Sequence, residues 1–123
     1  MEHVIKQNFI LASASPRRVE LLNQIGIIPD QIIPADIDET PLENEKPAFV
    51  AARLARLKAT KVFLENKGSF ILASDTVVAC GNRILGKAID RGEARQFLKL
   101  LSGRRHNVYT GVCLITPKGE ISV

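Results

Sequence analysis

The stretch FILASDTVVAC, residues 70–80, limits the fold of this chain more than any other segment. Its apolar and β-branched residues predict one long strand, and Gly81-Asn82 after it predicts a turn into a short returning strand, Arg83–Leu85. Asp75 interrupts the stretch, although aspartate has a poor strand propensity and is costly to bury without a partner. The chain must therefore form a sheet in which something compensates a carboxylate.

The other predicted elements alternate between strand and helix before ending in a hairpin. Proline at the first helical position and glycine after the last one mark the helix boundaries. The elements are a strand over 9–13, helices over 16–25, 47–68 and 90–101, a short strand beginning at 31, and a hairpin over 106–123. This order favours an α/β protein with a mixed sheet flanked by helices, folded as a single domain over 1–123.

Composition excludes several classes of function. The net charge of +4 comes from 17 basic and 13 acidic residues, and there are only five Phe and one Tyr to stack on bases. No apolar run is long enough to span a membrane, and the first residues lack the apolar core of a secretory signal. We therefore expect a cytoplasmic protein with no membrane and no specific nucleic-acid partner, whose two cysteines, Cys80 and Cys113, are reduced core residues.

Two arginines stand at the predicted start of the first helix. Arg17 and Arg18 fall in its first turn, where the positive end of the helix dipole disfavours cations by about 0.3–1 kcal/mol each. Free helix N–H groups, the hydroxyls of Ser13 and Ser15, and guanidinium groups all bind anions. The segment therefore predicts an anion site.

Two further residues depart from their local pattern. Lys58 lies on the apolar face of the helix predicted over 47–68, so its ammonium either reaches solvent at the helix edge or binds phosphate in a cleft. Asp75 either caps a turn with Ser74 and Thr76 or serves on a rigid strand as a metal ligand or base. Lys87 is by itself a weak signal.

An acidic run follows the short strand predicted at 31. Its members, Asp36, Asp38, Glu39, Glu43 and Glu45, would ordinarily form a solvated loop. Cations together with carboxylates are typical of phosphate-ester chemistry, in which carboxylates hold a divalent ion such as Mg²⁺ that bridges phosphate oxygens. No GxxxxGK[ST] or GxGxxG motif occurs, so a P-loop or dinucleotide fold is not supported.

Six sequence blocks then follow one another in order between Leu11 and Gly111. They are LASASPRRVELL, DIDETP, ARLKA, ILASDTVV, LGK and LSGRRHNVYTG. Together they resemble the Maf family of nucleoside triphosphate pyrophosphatases, once described as septum-formation inhibitors.

The resemblance implies a Maf/ITPase-like fold and hydrolysis of a nucleoside triphosphate between the α and β phosphates, with Mg²⁺ or Mn²⁺. The products are a nucleoside monophosphate and pyrophosphate. It also implies a homodimer as one assembly to test. The family blocks match Ser13, Arg17, Arg18, Glu39, Lys58, Asp75, Thr76 and Lys87, with Asp75 as the proton acceptor. Together with the anion site and the carboxylates found above, they predict catalysis by Asp75, Lys58 and Lys87, metal binding by Glu39 and Asp75, and substrate binding by Ser13, Ser15, Arg17, Arg18 and Thr76. Arg18 and Thr76 match the subgroup that acts on dTTP and UTP.

The chain departs from the family pattern in two places. The family usually has Gly-Lys-Pro where this chain has Gly86-Lys87-Ala88, which removes no reactive group. Family members also continue into a further lobe, so we expect this chain to be an N-terminal portion with the C-terminal part missing. The alternative function is a truncated, catalytically weak module that binds nucleotide or regulates cell division.

Overall fold

A computed structural model describes residues 8–85 and 106–123, together with residues 92, 95, 96, 98 and 99. The strands are β1 (Phe9–Ala12), β2 (Gln31–Ile32), β3 (Phe70–Cys80), β4 (Arg83–Leu85), β5 (Asn107–Ile115) and β6 (Ile121–Ser122). The helices are α1 (Pro16–Gln24) and α2 (Pro47–Glu65). These strands form one sheet in the order β2-β1-β3-β5-β6, and β4 also pairs with β3.

The sheet is mixed, as the sequence predicted. Strand β1 runs parallel to β2 and β3, whereas β3 pairs antiparallel with β4 and β5, and β5 with β6. Along β3 every second residue is buried, which is the pattern of a strand with one face against a core. Ile71, Ala73, Asp75, Val77 and Ala79 share that buried face. The central carboxylate therefore points into the protein.

Helix α2 covers this face of the sheet. Proline occupies its first turn, and its interior is rich in Ala, Leu, Lys and Arg with no glycine or further proline, so the helix forms readily. Small residues one turn apart, Ala51, Ala55 and Ala59, are buried against the sheet. Because these side chains are short, the helix axis can lie close to the strands.

The closest approach of α2 to the sheet is at Gly111 in β5. A Cβ atom at this position would lie 2.4 Å from the carbonyl oxygen of Ala51 and 2.7 Å from the amide nitrogen of Ala52. Backbone atoms cannot move aside as a flexible side chain can. Gly111 also pairs directly with Asp75 across β3 and β5, so this tight contact lies beside the buried carboxylate.

Most of the predicted elements are confirmed, to within a few residues at their ends. The alternative that Asp75 caps a turn is wrong, because β3 continues through it and pairs with β5 on both sides. Cys113 is buried and Cys80 is half-buried, and neither forms a disulfide. Most of the helix predicted over 90–101, and Lys87, lie outside the described residues. In the part of the chain that is described, no helix is long and apolar enough to cross a membrane.

Replacing Gly111 with Ala should force α2 away from the sheet and lower the free energy of unfolding by about 1–3 kcal/mol, since the neighbouring backbone cannot yield. Val112→Ala is the matched control, because Val112 is the next residue of β5 and is 50% exposed. Urea unfolding of both variants measures the effect. Equal losses in the two variants would contradict a close contact at Gly111.

Candidate functional site

A gap in one edge of β3 creates the main cleft of the molecule. On this edge β1 pairs with β3 only as far as Ala73, and β4 pairs with it only from Val78 onward. Among the described strands none pairs with residues 74–77 on that side. A cleft of about 860 Å³ opens at this gap. Its wall includes the loop after β1, the acidic loop before α2, and the middle of β3.

Two adjacent residues of β3 reach the cleft from opposite faces of the sheet. Asp75 points toward α2 and is only 8% exposed, whereas Thr76 points to the other face and is exposed. In a continuous sheet a neighbouring strand would separate these two side chains. Because that edge of β3 has a gap here, both of them line the same cleft.

Lys58 of α2 compensates the buried carboxylate. Its Nζ lies 2.7 Å from Oδ1 of Asp75 and 2.8 Å from Oε1 of Glu39. The Lys58 and Asp75 side chains are 13% and 11% exposed, and the Glu39 side chain is 55% exposed. The ammonium therefore bridges a carboxylate on the floor of the cleft and one at its mouth, and the alternative that it extends into solvent is wrong.

The charge state of Lys58 follows from two opposing effects. Burial would lower the pKa of its ammonium from the usual 10.5, but the hydrogen bonds that it donates to Asp75 and Glu39 outweigh burial. The pKa of Lys58 is therefore raised, and the residue is a cation at neutral pH.

The loop that carries Glu39 is fastened to α2 on either side of Lys58. Arg53 donates two hydrogen bonds to the carboxylate of Glu45, at 2.7 and 2.9 Å, and a third to the carbonyl oxygen of Thr40. The bond from Arg53 lowers the pKa of Glu45. Lys61 donates to the carbonyl oxygen of Asp36. These contacts hold the acidic segment against the helix independently of Lys58.

A turn within this loop fixes the position next to Glu39. The amide of Thr40 donates to Oδ1 of Asp38 at 2.9 Å, and hydrogen bonding with Thr40 lowers the pKa of Asp38. The acidic run is therefore an organised segment in which Asp38 and Glu45 shape the loop and Glu39 reaches Lys58.

Residues of the first sequence block, LASASPRRVELL, also line the cleft. Ser13 is 5% exposed, and its Oγ accepts a hydrogen bond from the amide of Ser15 at 3.0 Å. Ser15 precedes α1 in extended conformation but makes no side-chain cap, so its hydroxyl is not used by the helix. Both serines line the cleft.

Arg18 spans the gap in the sheet edge. Its Nη1 donates to the carbonyl oxygen of Ser74 at 2.8 Å, and its Nη2 donates to Oγ1 of Thr76 at 3.2 Å. Arg17 instead lines a separate surface hollow with Glu20, Leu21 and Gln24. The two arginines therefore differ in position, although they are adjacent in sequence. The substrate-binding role predicted for Arg17 stays a prediction, and its position outside the cleft favours Arg18 instead.

Sequence reasoning missed three contributors to this site. Thr110 of β5 has its Oγ1 3.3 Å from Oγ1 of Thr76, next to the Arg18 guanidinium. Gly111 allows the close approach of α2, and Arg53 fastens the acidic loop. A glycine inside a strand does signal close backbone approach, so Gly111 could have been found from sequence. The partners of Thr110 and Arg53 depend on which elements pack together in the fold, so these two residues could not have been found from sequence.

The oxygen donors of this cleft suit a hard divalent cation. Glu39 and Asp75 converge on one cationic centre, now the Lys58 ammonium, from two different elements. Among the described residues no group of three or more His, Cys, Asp or Glu could hold a metal ion. Mg²⁺ commonly takes one or two protein carboxylates and completes its shell with water and substrate phosphates, so this pair fits it.

The stabilising effect of Lys58 should disappear at alkaline pH. A group whose pKa is raised on folding stabilises the protein below its ordinary pKa, and this contribution is lost as the pH rises through the folded value. The difference in unfolding free energy between the native chain and Lys58→Met should therefore stay level up to about pH 10 and fall above pH 10.5.

Chemical denaturation at a series of pH values measures this difference in unfolding free energy. The contributions of groups that titrate alike in both proteins cancel when one value is subtracted from the other. Lys61→Met is the control, because Lys61 donates to a backbone oxygen and not to a carboxylate. The difference in unfolding free energy between the native chain and Lys58→Met should fall above pH 10.5, whereas the difference for Lys61→Met should not. If neither difference changes with pH, the ion pair of Lys58 is contradicted.

Comparison with known proteins identifies the family of this chain. The family model for Maf-like proteins matches residues 8–123. A dTTP/UTP pyrophosphatase of Paramagnetospirillum magneticum is 59% identical over 112 residues, which cover 91% of this chain and 59% of the relative. One of Nitrobacter hamburgensis is 60% identical over 117 residues, covering 90% of this chain and 56% of the relative. The chain thus spans less than two thirds of the length of these relatives.

Among solved structures, a nucleoside-triphosphatase described as a dITP/XTP pyrophosphatase, from Mycobacterium abscessus, has the same kind of fold. It superimposes with a TM-score of 0.58 at 19% sequence identity, covering 94% of this chain and 69% of that one. At this identity the similarity concerns the fold, and it agrees with the mixed sheet and helices described above.

Proposed function

Because the chain belongs to the Maf-like family, we propose that its cleft is the nucleotide site of a metal-dependent nucleoside triphosphate pyrophosphatase. The substrate would be dTTP or UTP, as in the names of the relatives, and the products a nucleoside monophosphate and pyrophosphate. One observation carries the proposal. An ammonium and two carboxylates meet in a cleft that is also lined by a guanidinium and two serines.

In this proposal Asp75 accepts the proton of the attacking water. The water oxygen bonds to a phosphorus of the α–β anhydride and the bond from that phosphorus to the bridging oxygen breaks, which gives a nucleoside monophosphate and pyrophosphate. Asp75 suits this role because pairing of β3 with β5 fixes its backbone and because it lines the cleft. Glu39 and Asp75 would hold a divalent metal ion, which supplies charge neutralisation at the phosphate oxygens when bound.

The cationic and hydroxyl groups of the cleft would bind the triphosphate. Arg18, Ser13 and Ser15 come from the end of β1 and the start of α1 and line the same cleft as Lys58. A guanidinium that is already held by Ser74 and Thr76 loses little conformational freedom on binding an anion. Thr76 lies at the same place and would contact the nucleotide beside Arg18. Lys87 is assigned a further catalytic role by its sequence block alone.

Loss of either carboxylate should impair turnover, but in a different way for each. Asp75→Asn is expected to lower kcat by about 100-fold or more while nucleotide binding persists, since a positioned base contributes about 10²–10⁴-fold. Glu39→Gln should raise the metal concentration needed for half-maximal rate. Glu43→Gln is its matched control, because Glu43 is an exposed residue of the same loop and does not line the cleft.

The assay is pyrophosphate release by the purified chain with Mg²⁺ or Mn²⁺, across dTTP, UTP, CTP, GTP, ATP and methylated GTP. Release from dTTP or UTP that is unchanged in Asp75→Asn would refute the role of Asp75. Nucleotide binding without any release would instead support the alternative of a binding module.

The two adjacent arginines should differ in effect. Arg18→Ala is expected to lower kcat/KM for dTTP by about tenfold, because it removes charge-assisted hydrogen bonds from the cleft. Arg17→Ala, with the same change one residue away and outside the cleft, should stay within about twofold of the native value. Steady-state kinetics of the pair measures this difference. Equal losses would show that α1 presents both arginines to the nucleotide.

A further inference from the structure

We propose that Lys58 and the divalent cation compete for the carboxylate oxygens of Glu39 and Asp75, so that the cation binds by displacing the ammonium toward the phosphates of the nucleotide. This inference rests on the proposed function and deepens it. It assigns Lys58 two successive positions, first as the counter-ion of the carboxylates and then as a phosphate ligand.

The ammonium of Lys58 already occupies the carboxylate oxygens that the metal ion would use. Nζ of Lys58 already lies 2.7 Å from Asp75 Oδ1 and 2.8 Å from Glu39 Oε1. A Mg²⁺ ion bound by the same two oxygens would need the space between them that the ammonium now fills. Two cations this close repel each other strongly in a partly buried site. The ammonium and the metal ion therefore exclude one another.

Charge balance also favours displacement of the ammonium by the metal ion. With Lys58 in place the three groups carry a net charge of −1, and a divalent ion added without moving Lys58 would bring them to +1. If the ammonium leaves, the carboxylates and the metal ion are neutral together, and the ammonium is available to an anionic triphosphate. Each charge then has a partner, which a partly buried cleft requires.

The chain also permits the movement. Lys58 is anchored on α2, so only its flexible four-carbon side chain has to rotate. The cleft that Lys58 lines is also lined by Arg18, Ser13 and Ser15, where phosphate groups would bind. Glu39 need not follow, because the three hydrogen bonds of Arg53 fasten its loop to the helix without using Lys58 or Lys61.

Mn²⁺ binding measured without nucleotide tests the competition. Electron paramagnetic resonance of free Mn²⁺ gives the dissociation constant for the native chain, Lys58→Met and Lys61→Met. Methionine is chosen because its thioether is a poor ligand for hard ions. We expect Lys58→Met to bind Mn²⁺ at least about tenfold more tightly than the native chain. The variant lacks the charge that repels Mn²⁺ and the ammonium that occupies the carboxylate oxygens.

The control separates competition from net charge. Lys61→Met removes the same charge from the same helix, but its ammonium donates to the backbone oxygen of Asp36. We expect its Mn²⁺ affinity to stay within about twofold of the native value. Equal tightening in both variants would overturn the proposal, as would an unchanged, weaker or undetectable affinity in Lys58→Met.

A second measurement keeps the native side chain and does not depend on a variant that must fold. Competitive acetylation followed by mass spectrometry reports the reactivity of each lysine amine. Adding Mg²⁺ should increase the acetylation rate of Lys58 severalfold relative to Lys61, since the displaced amine leaves its carboxylate partners. A rate that does not respond to saturating Mg²⁺ would overturn the proposal.

The outcomes are independent of those for the proposed function. Neither experiment uses nucleotide or turnover. Tighter Mn²⁺ binding in Lys58→Met without pyrophosphate release from the native chain would defeat the proposed function alone. Normal pyrophosphate release with unchanged Mn²⁺ affinity in Lys58→Met would defeat this inference alone.

Discussion

The carboxylate of Asp75, buried in the middle of an apolar strand, is the constraint on which the rest of the structure depends. An unpaired charge at 8% exposure would be too costly, so a cation has to reach it from the layer that covers the sheet. Lys58 supplies that cation from α2, and small residues on α2 together with Gly111 on β5 let the helix approach closely. The close apolar packing of α2 on the sheet therefore also brings the ammonium of Lys58 to the carboxylate of Asp75.

A second consequence comes from the incomplete edge of β3. Asp75 and Thr76 are consecutive and point to opposite faces, yet both line one cleft because β1 ends before them and β4 begins after them. Arg18 fills part of the gap through Ser74 and Thr76. A full strand at this edge would have stabilised the sheet but closed the site, so the shortness of β1 and β4 is what makes a binding cleft compatible with this fold.

The sequence alone predicted much of the fold and several members of the site. Pro47 and the Gly81-Asn82 turn place element boundaries through local backbone geometry, which acts in any tertiary context. Asp75 and Lys58 were found because each is a charge on an apolar face, and such a residue requires a partner wherever it is buried. Glu39 emerged only from the family blocks, since one acid among several in a loop carries no local signal.

What the sequence by itself determined is therefore the set of elements and the presence of charges that need compensation. Only the tertiary structure decided which charges meet. It separates Arg17 from Arg18 by the direction each leaves α1, it selects Glu39 over its acidic neighbours, and it brings Thr110 to Thr76 through strand pairing. The physical reason is that propensity and periodicity act over a few residues, whereas partners across a sheet or cleft depend on register and helix placement, which the whole fold establishes together.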